Sequence, residues 1–173
     1  MTAAIAICRL VPADLPAYKA LRDAMLAAHP TAFTSDADEE RSKPPESYLS
    51  RLGADHPGGG HFTLGAWRHE RLVGAIGCER DTRLKVRHAA HLIGMMVRSD
   101  LQGTGVGRAL LEACIAEARR AEGLEVLTLT VSAGNAAAIR LYERAGFVRC
   151  GSLPRAICVA GVYHAKDQML LML

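Results

Sequence analysis

Gln102-Gly103-Thr104-Gly105-Val106-Gly107-Arg108 sets three glycines directly ahead of a run in which Leu110, Leu111, Cys114, Ile115 and Ala118 recur at helical spacing. Glycines in such a turn let successive backbone N–H groups point into one concavity. The helix start adds unpaired donors and the positive end of its dipole, so the stretch reads as an anion cradle. The apolar run His91 to Val97 comes just before it, so the loop joins a strand to a helix from about Gly107 to Glu122, with Gly123 where a left-handed cap belongs. Two glycine motifs are excluded by counting. A dinucleotide fingerprint needs glycine where Arg108 or Leu110 stands, and a Walker loop needs a Gly-Lys pair that the chain lacks.

Outward from this loop, the chain alternates strand and helix patterns. Ile5 to Leu10 predicts a strand, and Asp14 is placed to cap a helix reaching about His29, ahead of Pro30. Thr31 to Pro45 is polar, with the acidic cluster Asp36, Asp38, Glu39 and Glu40, and reads as a solvated loop able to attract a cation. A short helix is expected from about Glu46 to Leu52. Gly58-Gly59-Gly60 reads as a flexible turn. Phe62 to Arg68 and Leu72 to Glu79 predict a hairpin, His91 to Val97 a fourth strand and Val126 to Val131 a fifth. A helix from about Asn135 to Ala145 stops at Gly146, before a closing strand pair over Phe147 to Leu153 and Asp167 to Leu173.

With 173 residues, half of them hydrophobic, one domain spanning 1–173 is expected. The net charge of +3 is mild and the basic residues are scattered, so nucleic acid is not an expected partner. The start Met1-Thr-Ala-Ala-Ile-Ala-Ile-Cys-Arg lacks a basic leader, and no apolar run approaches a membrane span; the expectation is a cytoplasmic protein without a membrane partner. Cys8, Cys78, Cys114, Cys150 and Cys158 are odd in number and show no C-x-x-C spacing, which suggests reduced core residues. His88 and His91, three apart on a strand, point to opposite faces, so no metal is expected.

Gln102, Gly105 and Gly107 fill the pattern [Gln/Arg]-x-x-Gly-x-[Gly/Ala], and downstream Asn135, Tyr142, Gly146 and Phe147 stand in a strand-to-helix segment. Together these resemble the two signatures of the GNAT superfamily of acyl-CoA N-acetyltransferases, over roughly 60 to 173. The resemblance implies an α/β (α+β) fold: a mixed, mostly antiparallel sheet of six to seven strands with about four helices, splayed between the fourth and fifth strands. It implies acetyl-CoA as co-substrate, transfer to a primary amine on a small molecule or protein, and a possible homodimer. On that likeness Gln102, Gly103, Thr104, Gly105, Val106, Gly107 and Arg108 would hold the pyrophosphate. Met95, Met96, Val97 and Asn135 would hold the pantetheine arm. The family's usual proline two residues beyond Val97 is Ser99 here.

Amide-to-be chemistry needs a neutral amine and a proton for the departing thiolate. Tyr142 matches the family's general acid; taken alone it reads as a core tyrosine beside Ile139 and Leu141, and Asn135 alone as a helix cap. The base is less legible. Some relatives carry a glutamate on the fifth strand five residues before the Asn, where this chain has Thr130. Glu79, His91 and Glu125 are the remaining candidates; the ordinary reading of Glu79 and Glu125 is a solvated strand end and that of His91 a partly buried strand histidine, and Glu79 is preferred, through water. The alternatives to an enzyme are an acyl-CoA-sensing module without turnover and a ligand-free interaction domain.

Overall fold

Seven runs rich in apolar and β-branched residues pair into one sheet, ordered β1-β2-β3-β4-β5-β7-β6. The strands are β1 (Ile5–Arg9), β2 (Phe62–Arg68), β3 (Arg71–Arg80), β4 (Ala89–Val97), β5 (Val126–Ser132), β6 (Val148–Val159) and β7 (Val162–Met172). The computed structural model describes residues 4–54, 56 and 58–173; the first three residues of the chain start lie outside them. All pairs are antiparallel except β4 with β5. The helices are α1 (Leu15–Ala28), α2 (Ala37–Arg41), α3 (Val106–Ala118) and α4 (Ala136–Arg144), with a 3-10 segment at Pro45–Leu52.

Each face of the sheet carries its own core. Phe62, Val73, Ile76, Leu92, Leu127 and Leu129 pack with Leu110, Leu111 and Cys114 of α3 and Tyr142 of α4. Leu72, Ala75 and Met96 on the opposite face pack with Leu15, Tyr18, Leu21 and Met25 of α1 and with Tyr48 and Leu52. Strand β3 therefore lies between two apolar layers, which is why its sequence is an apolar run rather than an alternation.

Several local expectations are corrected. Asp14 stands at the N-cap of α1 as expected, but its carboxylate accepts from Val11 N at 2.9 Å and not from the first turn of the helix. Helix α3 ends at Ala118, four residues early; Gly123 has φ +65° but serves the following turn. The closing hairpin is longer than expected, its strands running to a tip at Ala160 and Gly161 with a break in register between Leu153 and Ile157. Gly58 and Gly59 are not a loose turn, because Arg80 donates to both carbonyls at 3.1 and 3.2 Å and also to those of Arg87 and Glu122. All five cysteines are free, but only Cys78 and Cys114 are buried. Cys8 lies on edge strand β1, and Cys150 and Cys158 on edge strand β6, where one backbone side has no neighbour to cover it. Among the described residues no helix is long and apolar enough to cross a membrane, and no three His, Cys, Asp or Glu cluster as metal ligands would.

Candidate active site

Strands β4 and β5 are hydrogen-bonded only from Ala89↔Val126 to Leu92↔Leu129, and beyond that rung they part. The parting is built into β4. Between Gly77↔Ile93 and Ala75↔Met96, β4 sets two residues, Gly94 and Met95, against one of β3, Ile76, a bulge with Gly94 at φ +55°. Past the bulge, Met96 and Val97 pair with β3 on one side, and the segment from Met95 to Val97 presents its other backbone edge to the gap. An extended chain bearing amides can add to such an edge. The Met96 side chain is buried in the α1-side core, so its contribution to the gap is backbone; the Met95 side chain lines it.

The glycine loop follows at once. Gly105, at φ +94°, is the N-cap of α3, and the helical ladder begins with Ala109 N→Gly105 O at 3.0 Å. The N–H groups of Val106, Gly107 and Arg108 stand ahead of that ladder, at the positive end of the helix. A Cβ built on Gly103 or Gly105 would meet nothing within 4 Å, so the concavity is open. Gly107 differs from these two: it lies inside α3, and a Cβ there would make ordinary van der Waals contact with Met95, Val97 and Leu141 at 3.5–3.7 Å. Gln102 Nε2 donates to Val97 O and Thr104 Oγ1 to Leu101 O, holding the loop in shape. The Arg108 side chain pairs with Glu112 on the exposed helix face, leaving its backbone N–H for the cradle. Ser99, in the family's proline position, meets His29 Nε2 at 3.1 Å and ties the loop to the end of α1.

Two cavities meet in the gap, one of about 540 Å³ and one of about 310 Å³. Ala32, Phe33, Met95 and Asn135 line both. Asn135 Oδ1 accepts from Ala138 N at 3.1 Å, capping α4, which leaves its amide N–H groups for a ligand. Tyr142 lines the smaller cavity from the α3–α4 side, its ring set edge-on to Phe147. Burial, with Cys114 nearby, pushes the Tyr142 phenol up to about 12.

On the α1 side of the same cavity, Glu79 and His91 stand directly opposite each other across β3 and β4. Thr128 Oγ1 donates to Ala90 O and lies 2.9 Å from His91 Nδ1. In the tautomer that donates Nδ1–H to this hydroxyl, the lone pair of neutral His91 lies on Nε2. Burial pushes the His91 pKa below its usual value; Glu79 opposes that shift and Lys166 adds to it. Glu125 is not part of this arrangement: it precedes β5 at the end where the strands are still joined, its N–H on His88 O at 2.8 Å.

Three cations in the cavity wall escaped the sequence reading: Arg22, Arg51 and Lys166. Arg22, on α1, is buried and its Nε donates to Glu40 Oε2 at 3.1 Å. Glu40 also accepts from Lys43 and Tyr48 Oη, and its carboxyl is held down at about 2 by these partners against the opposing effect of burial. The expected solvated acidic loop is therefore wrong for Glu40, whose charge is consumed inside the protein. The acidic spacing hid this because Asp36, Asp38 and Glu39 do face solvent or cap α2.

A family model described as the acetyltransferase (GNAT) family matches residues 18–147. A mycothiol acetyltransferase of Geodermatophilus obscurus is 32% identical over 127 residues, 71% of this chain and 37% of that protein. An L-methionine sulfoximine/L-methionine sulfone acetyltransferase of Pseudomonas aeruginosa is 46% identical over 59 residues, 34% of each chain. The match spans well under half the length of either relative. The crystal structure of an acetyltransferase of the GNAT family from Streptococcus pneumoniae superposes with a TM-score of 0.85 at 26% identity, covering 98% of this chain and 100% of that one.

Proposed function

Since the chain belongs to the acetyltransferase (GNAT) family, we propose that it moves an acetyl group from acetyl-CoA directly to a primary amine. The observation that carries this reading is the gap itself. It joins an anion-binding helix start and an unpaired β4 edge to Tyr142 on one face of the sheet and to Glu79 and His91 on the other. The residues present fit acetyl-CoA: the open cradle at Gly103 and Gly105 suits a pyrophosphate, and the edge at Met95–Val97 suits the amides of a pantetheine arm. When bound, acetyl-CoA supplies the activated carbonyl.

The rest of the reaction falls to side chains. His91 Nε2 takes the proton that an alkylammonium must lose before it can attack, and the lowered His91 pKa keeps that nitrogen free near neutral pH. Glu79, across from it, steadies the arriving positive charge and can relay the proton through water. Tyr142, still protonated far above neutral pH, donates to the departing sulfur, with Asn135 holding the arm beside it. Buried among Val131, Leu129 and Leu141, the Tyr142 end of the cavity also keeps water from competing for the carbonyl.

The test is release of free thiol from acetyl-CoA in the presence of an amine panel, together with the melting-temperature shift that CoA produces. Acetylated amine and stoichiometric thiol are expected. A CoA-induced shift without thiol release from any amine would make the protein an acyl-CoA-binding module; no shift at all would remove the donor site.

A further inference from the structure

The α1 side of the small cavity is cationic in a way that acetyl transfer to a plain amine does not require. Because the β4 bulge turns Gly94 onto the same face as His91 and Ile93, the space its side chain would fill is left open. A Cβ there would lie 3.4 Å from Tyr18 Oη, 3.6 Å from Arg51 Nη1 and 3.9 Å from Arg22 Nη1, so a hydroxyl and two guanidinium groups converge on one point in the wall. Arg22 spends Nε on Glu40 and Nη2 on Ser35 Oγ, at 2.8 Å, which leaves Nη1 directed at the cavity. Arg51 gives Nη1 to the Tyr18 hydroxyl at 3.1 Å and stacks over Tyr48, and among the described residues it has no carboxylate partner.

Lys166 enters the same cavity from β7. It is 8% exposed, and Nζ donates to Thr34 Oγ1 at 2.6 Å. Again no carboxylate among the described residues pairs with it, and burial lowers its pKa, the sign of a charge held without compensation. Glu79 is the carboxylate that lines the cavity, and Glu40 lies behind Arg22, shared with Lys43 and Tyr48. The wall thus offers one anion beside the proposed proton acceptor and cations farther along the same face.

That distribution is complementary to a zwitterion. Resting on the acetyl-transfer reading above, we propose that the acceptor is a small primary amine that also carries a carboxylate, its ammonium directed at Glu79 and His91 and its anionic end seated against Arg22, Arg51 and Lys166. Along β4 the two ends are three residues apart, on the order of 10 Å by strand rise, and the side chains of both ends line the same cavity of about 310 Å³. A carboxylate in this position supplies an acceptor for Arg22 Nη1 and the anionic partner that Arg51 and Lys166 lack. A neutral amide there would leave the Lys166 charge buried without a counter-ion.

The experiment compares matched acceptors with acetyl-CoA: the free L-amino acids, their carboxamides, the corresponding decarboxylated amines, and short peptides presenting the same residue at their N-terminus. At least one acid should exceed its own amide and amine in kcat/KM by on the order of 10²-fold or more, as buried polar groups reject ligands that leave them unpaired. Arg51→Met and Lys166→Met should each cost that acid about 10–100-fold, chiefly in KM, and narrow its advantage over its own amide. Arg51 is only half-buried and Lys166 lies on a strand, so melting temperatures check that both variants fold. Equal use of acid and amide, acetylation of peptides alone, or no turnover of any acid while CoA still raises the melting temperature would each overturn the proposal. Loss of the CoA shift would strike the donor site instead.

Discussion

Gly105 offers the most direct separation of strain from charge at the glycine loop. At φ +94° any L-residue is disfavoured, but a Cβ built there meets nothing within 4 Å, so substitution costs conformation without a clash. That cost is about 1–2 kcal/mol of stability and is the same for Gly105→Gln and Gly105→Glu. The pair then differs by one negative charge at the mouth of the helix. At ~5 Å from a phosphate and an effective dielectric of ~20, Coulomb's law gives about 3 kcal/mol per unit charge. Water and ions in an open loop reduce this to about 1–2 kcal/mol, a 5- to 30-fold difference in affinity. Calorimetric titration with CoA at low and high salt measures it: Gly105→Glu should bind more weakly than Gly105→Gln, and the gap should narrow as salt rises. Equal affinities in the two folded variants would mean that the pyrophosphate does not sit over residue 105.

Tyr142→Phe keeps the ring on Phe147 and should hold KM for acetyl-CoA while lowering kcat by about 10²–10⁴-fold; with the phenol at about 12, the wild-type rate should show no alkaline fall attributable to Tyr142 below that range in stopped-assay pH profiles. The acidic limb of kcat/KM should be centred below the usual histidine value, because burial depresses the His91 pKa. Glu79→Gln, by removing the charge that opposes that shift, should move the limb lower still, and His91→Gln should abolish it; a limb unmoved by either variant would assign it to the amine or to water. Glu40 predicts acid lability: its folded value of about 2 lies below the ordinary 4.5, so its contribution is complete above about 4.5 and lost as pH falls toward 2. Urea midpoints across that window should lose on the order of 2–3 kcal/mol, and Glu40→Gln, already destabilised by leaving Arg22 buried, should show a flatter pH dependence there.

What the sequence made readable was local. Gly105 needs its left-handed φ and Asn135 its cap within a few residues of where each stands, so both could be placed by spacing alone. The donor side of the site is built almost entirely from such short-range features. The acceptor side is not. Arg22 meets Glu40 and Ser35 across a helix and a loop, Arg51 meets Tyr18 from a different segment, and Lys166 reaches Thr34 over 132 residues of chain. No periodicity in a single stretch records those meetings. A buried arginine on α1 looks, residue by residue, like an exposed one.

The position of the proposed proton acceptor shows how topology can move a role between strands. With Thr130 standing where some relatives carry glutamate, β5 offers no carboxylate there, yet β5 still takes part through Thr128. His91 and Thr128 are cross-strand partners on the last rungs before β4 and β5 separate. Pairing up to Leu92↔Leu129 fixes the imidazole against the threonine, and separation past that rung opens the space its Nε2 faces. A one-residue slip in this short ladder would turn His91 into the apolar α3-side core and bring Leu92 to the cleft. Histidine orientation, the opening of the gap and the hydrophobic pattern of β4 therefore depend on one register. The four-rung parallel ladder is the element that couples the fold to the proposed chemistry.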